Sequence, residues 1–547
     1  MKRFGWLAFA ALALLAGCAH TRELDVALDK NVRVPEKRAL VLFADGVRTE
    51  VFDAMLDAGQ LPNIQRYIVD RGVRARHAVT VVPSITYAAT ASINTGRYPG
   101  HHQIMGNKWF DRTSGQYQDY MYIRTYQEIN RDLRAPTIYE ILGDRYSVTI
   151  QVANYLGATR PIENWMSSGI NWFFRRILEV DRLIAVRFEL IAECARTTGT
   201  WPDYILAYFP AIDEIGHRYG SDSPQYRQAL ANLDVQVGRI CRGLERNGLL
   251  EGYYIFLVSD HGHVPADRLN SWSVEKFLKN DLGIRVVDKM FLEKGNTCER
   301  HAYLNDKCDL VLINGGSRRA HLHLRTDEHW FHEPTPQETQ EFLAHRADPA
   351  PVCRGMTLHQ TLAKQTPVRL VAVKAGPDRV EVLHRDARGL IERELRDGVK
   401  RYRYTPTAGD PLSYDEPHVK SLLDGQFHES RQWLAASCRS EFPDFVPQVV
   451  EMFDSGRAGQ IVIFADRGWD FSPIDLGGHG SAIRDDMIVP FFVAGPDIPH
   501  GEILTARLVD LVPTVLDIMN LADRQALFGQ FDGQSILDEL KQTQPAP

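Results

Sequence analysis

Three uninterrupted apolar runs each lead into an aspartate. Ala39-Leu40-Val41-Leu42-Phe43-Ala44 ends at Asp45, Tyr204-Ile205-Leu206-Ala207-Tyr208-Phe209 is followed by Asp213, and Tyr253 to Val258 is followed by Ser259 and Asp260. Short runs that are apolar on both sides suit central strands of a parallel sheet, because helices cover both of its faces. Parallel neighbours need a crossover, and one is legible between the second and third runs. Ser223-Pro224 supplies a helix cap and a first-turn proline, and Leu230, Leu233, Val237, Ile240 and Leu244 follow at spacings of three and four. The expected class is α/β: a mostly parallel central sheet with helices on both faces. Ligands of such sheets gather beyond the carboxyl ends of the strands, which is where the aspartates fall.

With 547 residues the chain is long enough for three or four domains. Its 44% hydrophobic and 24% charged residues exclude a disordered or many-span membrane protein. From residue 266 to 455 short alternating segments replace the long runs, including an expected hairpin around Ala375-Gly376-Pro377-Asp378. This predicts an inserted α+β cap. The core pattern is expected to resume at Gln460–Ala465 and Met487–Val493, followed by a helix from about Leu508 to Leu521. The expected division is therefore a catalytic body in two parts, 38–265 and 456–547, interrupted by the cap. The formal charge of −7 gives no footprint for a nucleic-acid polymer.

The N-terminus carries Lys2 and Arg3 ahead of an apolar run from Trp6 to Leu15, the pattern of a secretion signal. Leu15-Ala16-Gly17-Cys18 resembles the bacterial lipobox, which implies a signal peptide over 1–17, lipidation of Cys18 and a polar tether over 18–37. Together these predict a cell-envelope lipoprotein, on the outer membrane and facing the periplasm, that contacts the membrane through its lipid. Six cysteines remain after Cys18, and Cys298 and Cys308 are the expected disulfide, closing a short polar loop. None forms a CxxC pair, which argues against a thiolate zinc cluster.

The chemistry lies in acidic and histidine residues that are individually uninformative. Asp45, Asp213 with His217, Asp260 with His261, and His479 within Gly477-Gly478-His479-Gly480 occur in order at the ends of separate apolar runs. Three carboxylates and three imidazoles suit two zinc ions, with manganese or iron less favoured by the histidine content.

Asp45-Gly46-Val47-Arg48, Pro83-Ser84-Ile85-Thr86-Tyr87, Thr95-Gly96-Arg97-Tyr98-Pro99, His102, Asn107, Asp213 to His217 with Gly216, Ser259-Asp260-His261-Gly262 and Gly478-His479-Gly480 follow one another in this chain. This set resembles the alkaline phosphatase superfamily, and within it the nucleotide pyrophosphatase/phosphodiesterase branch, over residues 38–265 and 456–538. The resemblance implies one metal on Asp213, His217 and His479, and a second on Asp45, Asp260, His261 and the Thr86 hydroxyl. It also implies Thr86 as nucleophile, giving a covalent phosphothreonine. Asn107 would contact a nonbridging phosphate oxygen and Tyr87 would pack on the substrate, a small-molecule phosphoester.

The chain departs from that branch at two places. Thr86 is followed by Tyr87-Ala88-Ala89 rather than an aromatic and Pro-Asn, and His263 stands where a methionine is usual. His263 is expected to be a hydrogen-bonded histidine behind the ligands. Ser84 and Thr90 are rival hydroxyls. No Lys-x-Arg pair occurs between Asn107 and Asp213, which favours a diesterase. Arg124, Arg160, Arg175 or Arg176 keeps a phosphomonoesterase open, and a non-catalytic lipoprotein with structural metals is the third reading. His321, His323, His329 and His332 read as one face of a strand, because they alternate with Leu322 and Leu324. Trp165, Trp172, Phe173 and Phe174 suit either a pocket wall or core packing.

Overall fold

The computed structural model describes residues 23–543 except 164, 288–291, 294, 326–329, 345–352, 354, 472–474, 525–528 and 530. Residues 1–17 and Cys18 therefore lie outside the described residues, as does His329. The larger of its two main sheets has nine strands: β1 (Arg38–Ala44), β2 (Gly72–Val79), β3 (Ser147–Ile150), β4 (Arg160–Ile162), β5 (Tyr204–Phe209), β6 (Tyr253–Ser259), β7 (Ile488–Val489), β8 (Phe491–Ala494) and β9 (Gly501–Arg507). Their order is β7-β2-β8-β6-β1-β5-β3-β4, with β9 also on β2. The centre is parallel, β1 lying between β5 and β6 in a register that pairs Ala44 with both Phe209 and Ser259. That register brings the residues after all three strands to one edge. The Met487–Val493 run breaks at Pro490 into β7 and β8, which join the sheet antiparallel to their neighbours.

Alternation along β1 feeds two cores, as expected of a strand buried on both sides. Leu40 and Leu42 pack with Ile184 and Phe188 of α2 (Ile177–Thr198) and Leu233 and Val237 of α4 (Pro224–Arg246). Val41 and Phe43 face Val512, Val515 and Leu516 of α5 (Leu511–Ile518). Ser223 caps α4 by accepting from the Tyr226 N–H at 3.2 Å. Two helices carry the site: α1 (Thr86–Thr95) and α3 (Ala211–Tyr219).

A second, eight-stranded antiparallel sheet runs Leu310–Asn314, Arg319–Leu324, Ile461–Ala465, Val368–Gly376, Arg379–His384, Ala387–Arg396, Val399–Ala408 and His428–Glu429. It contains the expected hairpin at Gly376. It also takes Ile461–Ala465, which the sequence places in the larger sheet. That strand sends Val462 and Phe464 to one core and Ile461, Ile463 and Ala465 to another. Burial on both faces is satisfied equally well in either sheet, so the apolar pattern does not choose. The core holding Val462 and Phe464 also contains Val79, Val82 and Ala91, and joins the two sheets.

Three further expectations are corrected. Residues 24–33 are no free tether: Leu24 and Val26 are buried beside Gly243 of α4, and Arg33 bridges to Thr200. Cys298 and Cys308 do not bond. Cys298 sits in the first turn of the helix Thr297–Lys307 and Cys308 caps its far end, about 15 Å apart at the helical rise per residue and beyond disulfide reach. Trp172, Phe173 and Phe174 are exposed rather than packed in a core. Among the described residues, no helix is long and apolar enough to cross a membrane.

Candidate active site

The carboxyl edge of the larger sheet delivers Asp45 from β1 and Asp260 and His261 from β6. Gly46, at φ +66°, turns the chain beside α3, where an added Cβ would lie 2.7 Å from Asp213 Oδ1. Asp213 and His217 stand one turn apart on α3, their Oδ2 and Nε2 separated by 3.4 Å. His479 comes from a loop gripped by the second sheet: its N–H donates to the Gly316 carbonyl at 3.3 Å, and the Arg318 N–H donates to its carbonyl at 3.2 Å. The expected ligands thus form two clusters, Asp213–His217–His479 and Asp45–Asp260–His261, each with its donor atoms within 4.8 Å of one another. The clusters touch through His261 and His479, whose rings stack at 3.5 Å.

Each imidazole has its tautomer set by a backbone carbonyl near Nδ1: Gly477 for His217 at 2.9 Å, Gly262 for His261 at 2.9 Å and Ser84 for His479 at 3.1 Å. With Nδ1 donating, the Nε2 lone pairs turn to the carboxylates. The Asp260 Oδ1 accepts from the N–H groups of Gly46 and His261, both at 3.0 Å. Tyr208 donates its hydroxyl to Asp45 Oδ2. The opposite oxygens, Asp45 Oδ1, Asp260 Oδ2 and Asp213 Oδ1, are buried with no hydrogen-bond donor.

Burial, with Asp260 adding repulsion, pushes the Asp45 carboxyl well above the carboxylate range. Burial does the same to Asp213 and raises Asp260 to about 7. It holds His261 down at about 3 and His479 well below the imidazole range. Burial also works against a charged His217, but Asp213 and Asp475 override it and raise that ring. Unpaired carboxylate oxygens facing neutral imidazole lone pairs are what a divalent cation completes, so the residues fit the expected metals.

Thr86 is the first residue of α1, with its Oγ1 3.2 Å from His261 Nε2. Asn107 Oδ1 accepts from the Tyr87 N–H at 3.2 Å, which leaves its amide N–H groups for another partner. The Tyr87 ring stacks on Tyr120 at 5.1 Å. Ser84 is fully buried and donates to the Ser481 carbonyl at 2.7 Å, and Thr90 lies inside α1. Thr86 is therefore the one of these three hydroxyls at the clusters. His102 is a packing residue, its ring bonded to Ser92 Oγ at 3.0 Å.

His263 differs from expectation. It is fully buried, and neither ring nitrogen has a hydrogen-bond partner, Nε2 lying 3.8 Å from Asp213 Oδ1. His321 and His323 are buried on the strand Arg319–Leu324, and His332 pairs with Glu338 at 3.2 Å. None of the three belongs to a metal-sized cluster among the described residues. His101, Glu451 and Asp532 do approach one another. There both ring nitrogens are engaged, by Asp532 at 2.6 Å and Glu451 at 3.0 Å, and Arg393 and Lys400 also bind Glu451, which makes an ion-pair network. Tyr208 and the Gly316 turn escape a reading of the sequence, since one looks like a core aromatic and the other like an ordinary loop.

Residues 39–350 match the family model described as Type I phosphodiesterase / nucleotide pyrophosphatase, a stretch that holds every expected site residue except His479 and Cys18. An uncharacterised pyrophosphatase/phosphodiesterase of Schizosaccharomyces pombe is 26% identical over 240 residues, covering 43% of this chain and 47% of that protein. Human ectonucleotide pyrophosphatase/phosphodiesterase family member 1 is 26% identical over 260 residues, covering 45% of this chain and 26% of that protein. The match thus spans half or less of these relatives' own length. Among solved structures, human ectonucleotide pyrophosphatase / phosphodiesterase 5 superposes with a TM-score of 0.54 at 16% identity, over 92% of this chain and 99% of that one. Its murine counterpart, in an inactive form in complex with AMP, gives 0.54 at 15% over the same shares. These superpositions establish a shared fold. With the family model covering more than half of its length, the chain belongs to the type I phosphodiesterase/nucleotide pyrophosphatase family.

Proposed function

We propose that the protein is a two-zinc phosphodiesterase or nucleotide pyrophosphatase acting on small-molecule phosphoesters through a covalent phosphothreonine. The observation that carries this reading is Thr86 Oγ1, 3.2 Å from His261 Nε2 at the N-terminus of a ten-residue helix. Asp213, His217 and His479 would hold one cation, and Asp45, Asp260 and His261 the other. Two dications there supply Lewis acidity and lower the pKa of a coordinated hydroxyl. Thr86 would attack phosphorus in line, its hydroxyl proton passing to water, forming an Oγ1–P bond as the bond to the leaving oxygen breaks and that oxygen takes up a proton. Water cleaves the phosphothreonine and restores the hydroxyl. The α1 N-terminus favours the anionic phosphoryl group, and the Asn107 amide donates to a nonbridging oxygen. The half-buried Tyr87, backed by the fully buried Tyr120, offers an aromatic face suited to a nucleobase, in keeping with the AMP held by the murine relative. Lipidation at Cys18 would tether the enzyme to the cell envelope, on the outer membrane facing the periplasm.

Hydrolysis of a nitrophenyl phosphodiester and the matching monoester, by wild type and Thr86→Ala, tests this. The diester is the preferred substrate, and the variant loses turnover while keeping its metal. Equal activity of the variant sinks the nucleophile. Monoester preference moves the protein to the phosphomonoesterases, and no metal-dependent turnover on either ester leaves a binding protein.

A further inference from the structure

The helix Trp165–Phe173 presents its apolar side outward. Met166, Ile170 and Phe173 recur at the spacing of one helical face and are exposed, Phe173 to 81%, while Ser168 points inward to Gln151. Phe174 extends this stripe. The turn beginning at Met121 carries a second exposed apolar group, with Ile123 at 67%. The two segments are tied together: Tyr126 donates to Glu163, and Gln127 donates to the same carboxylate at 2.8 Å. The Met121 turn joins the candidate site at Asn107, whose carbonyl accepts from the Tyr120 N–H at 2.9 Å, and Trp172 of the helix reaches the carboxyl of Glu214, the residue after Asp213.

Charge narrows the choice of what covers this surface. Arg124, Arg160, Arg175 and Arg176 lie exposed within the same two segments or beside them, and none forms an ion pair among the described residues. The nearby acids are already engaged: Glu179 with Arg182, Glu214 with Arg218, Glu128 with Arg131, and Glu163 as above. Exposed aromatic and aliphatic side chains flanked by unpaired arginines are the composition of an interfacial helix that lies flat on anionic head groups. A protein partner would need complementary acids and a shaped groove, whereas a lipid surface needs neither.

We propose that the Met121–Ile123 turn and the helix Trp165–Phe173 dock on an anionic lipid bilayer. The chain from Ala19 onward keeps every described residue and removes both the signal run and Cys18 from the measurement. Co-sedimentation is compared on vesicles of phosphatidylcholine alone and with phosphatidylglycerol mixed in. Wild type binds the anionic vesicles, and added salt weakens the binding. The double variants Ile170→Glu/Phe173→Glu and Arg175→Ala/Arg176→Ala each weaken it at least about tenfold, at an unchanged melting temperature. No binding overturns the proposal, as does equal binding to both vesicle types or equal binding by the variants. A dimer that Ile170→Glu/Phe173→Glu dissociates, with no vesicle binding, assigns the surface to a second copy instead. Turnover is not read, so failure here leaves the catalytic reading untouched.

Discussion

His261 and His479 stack face to face, with ring centroids 3.5 Å apart and planes within 6°. One ring belongs to each ligand cluster, so the two sites share a wall. Loss of His479 is expected to disturb both. His479→Ala should bind well under one zinc ion per chain by elemental analysis after dialysis, against the two proposed for wild type. A variant that retains one full equivalent at Asp45–Asp260–His261 would show that the stack carries no coupling.

Metal affinity should fall as pH drops through about 7. Without a cation the Asp260 carboxyl titrates near 7, and Asp45 and Asp213 sit well above the carboxylate range. Protons therefore compete for the same oxygens, and zinc binding must release them. A folded-state carboxyl with a raised pKa also binds protons that the unfolded chain has lost, so the metal-free protein loses stability as pH rises through that pKa. Calorimetry in buffers of different ionisation enthalpy, with melting curves of the chelated protein on both sides of neutrality, checks both halves. A pH-independent affinity is incompatible with these carboxylates as ligands.

Tyr208→Phe removes the hydroxyl that Asp45 Oδ2 accepts from. Removing a group that orients a ligand weakens metal binding roughly 10–100-fold, and the ring itself remains to pack. Competition with a chromogenic chelator gives the affinity. Wild-type affinity in this variant would show that the hydroxyl does not orient Asp45.

Ser84→Ala separates the rival hydroxyls. Loss of the 2.7 Å bond to the Ser481 carbonyl destabilises the fold by about 1 kcal/mol, while turnover stays within a few-fold of wild type. Urea melts and phosphodiester kinetics read the two effects. Collapse of turnover at unchanged stability would make Ser84 the nucleophile.

His101 ties three carboxylates from two distant stretches of chain. Burial opposes its charge, but Asp454, Asp532 and Glu451 override it and lift the ring to about 11. The stabilisation is full below the unfolded pKa of about 6.5 and is lost as pH rises through about 11. His101→Gln should therefore lose about 3 kcal/mol in acid, the gap to wild type narrowing in alkali. A gap that does not change with pH would mean packing, not charge, is what His101 supplies.

Much of this was legible in the sequence because its signals are local. Runs apolar on both sides specify buried strands whatever their partners, Ser223-Pro224 specifies a helix start, and the order of Asp45, Asp213 and Asp260 after such runs marks one edge of one sheet. The chemistry of carboxylate and imidazole then suits a divalent cation. Partner choice is a non-local property. Ile461–Ala465 satisfies its burial equally in either sheet, and only the tertiary pairing put it beside Arg319–Leu324, in the sheet whose Gly316 turn holds the His479 loop. Cys298 and Cys308 are close in sequence but held apart by a helix, and Leu24 and Val26 lie in a polar stretch yet reach the core. The sequence by itself determined the buried strands and which carboxylates and imidazoles follow them. Only the tertiary structure decided which oxygens face inward unpaired, because that depends on donors such as Tyr208 and the Gly46 N–H arriving from other strands.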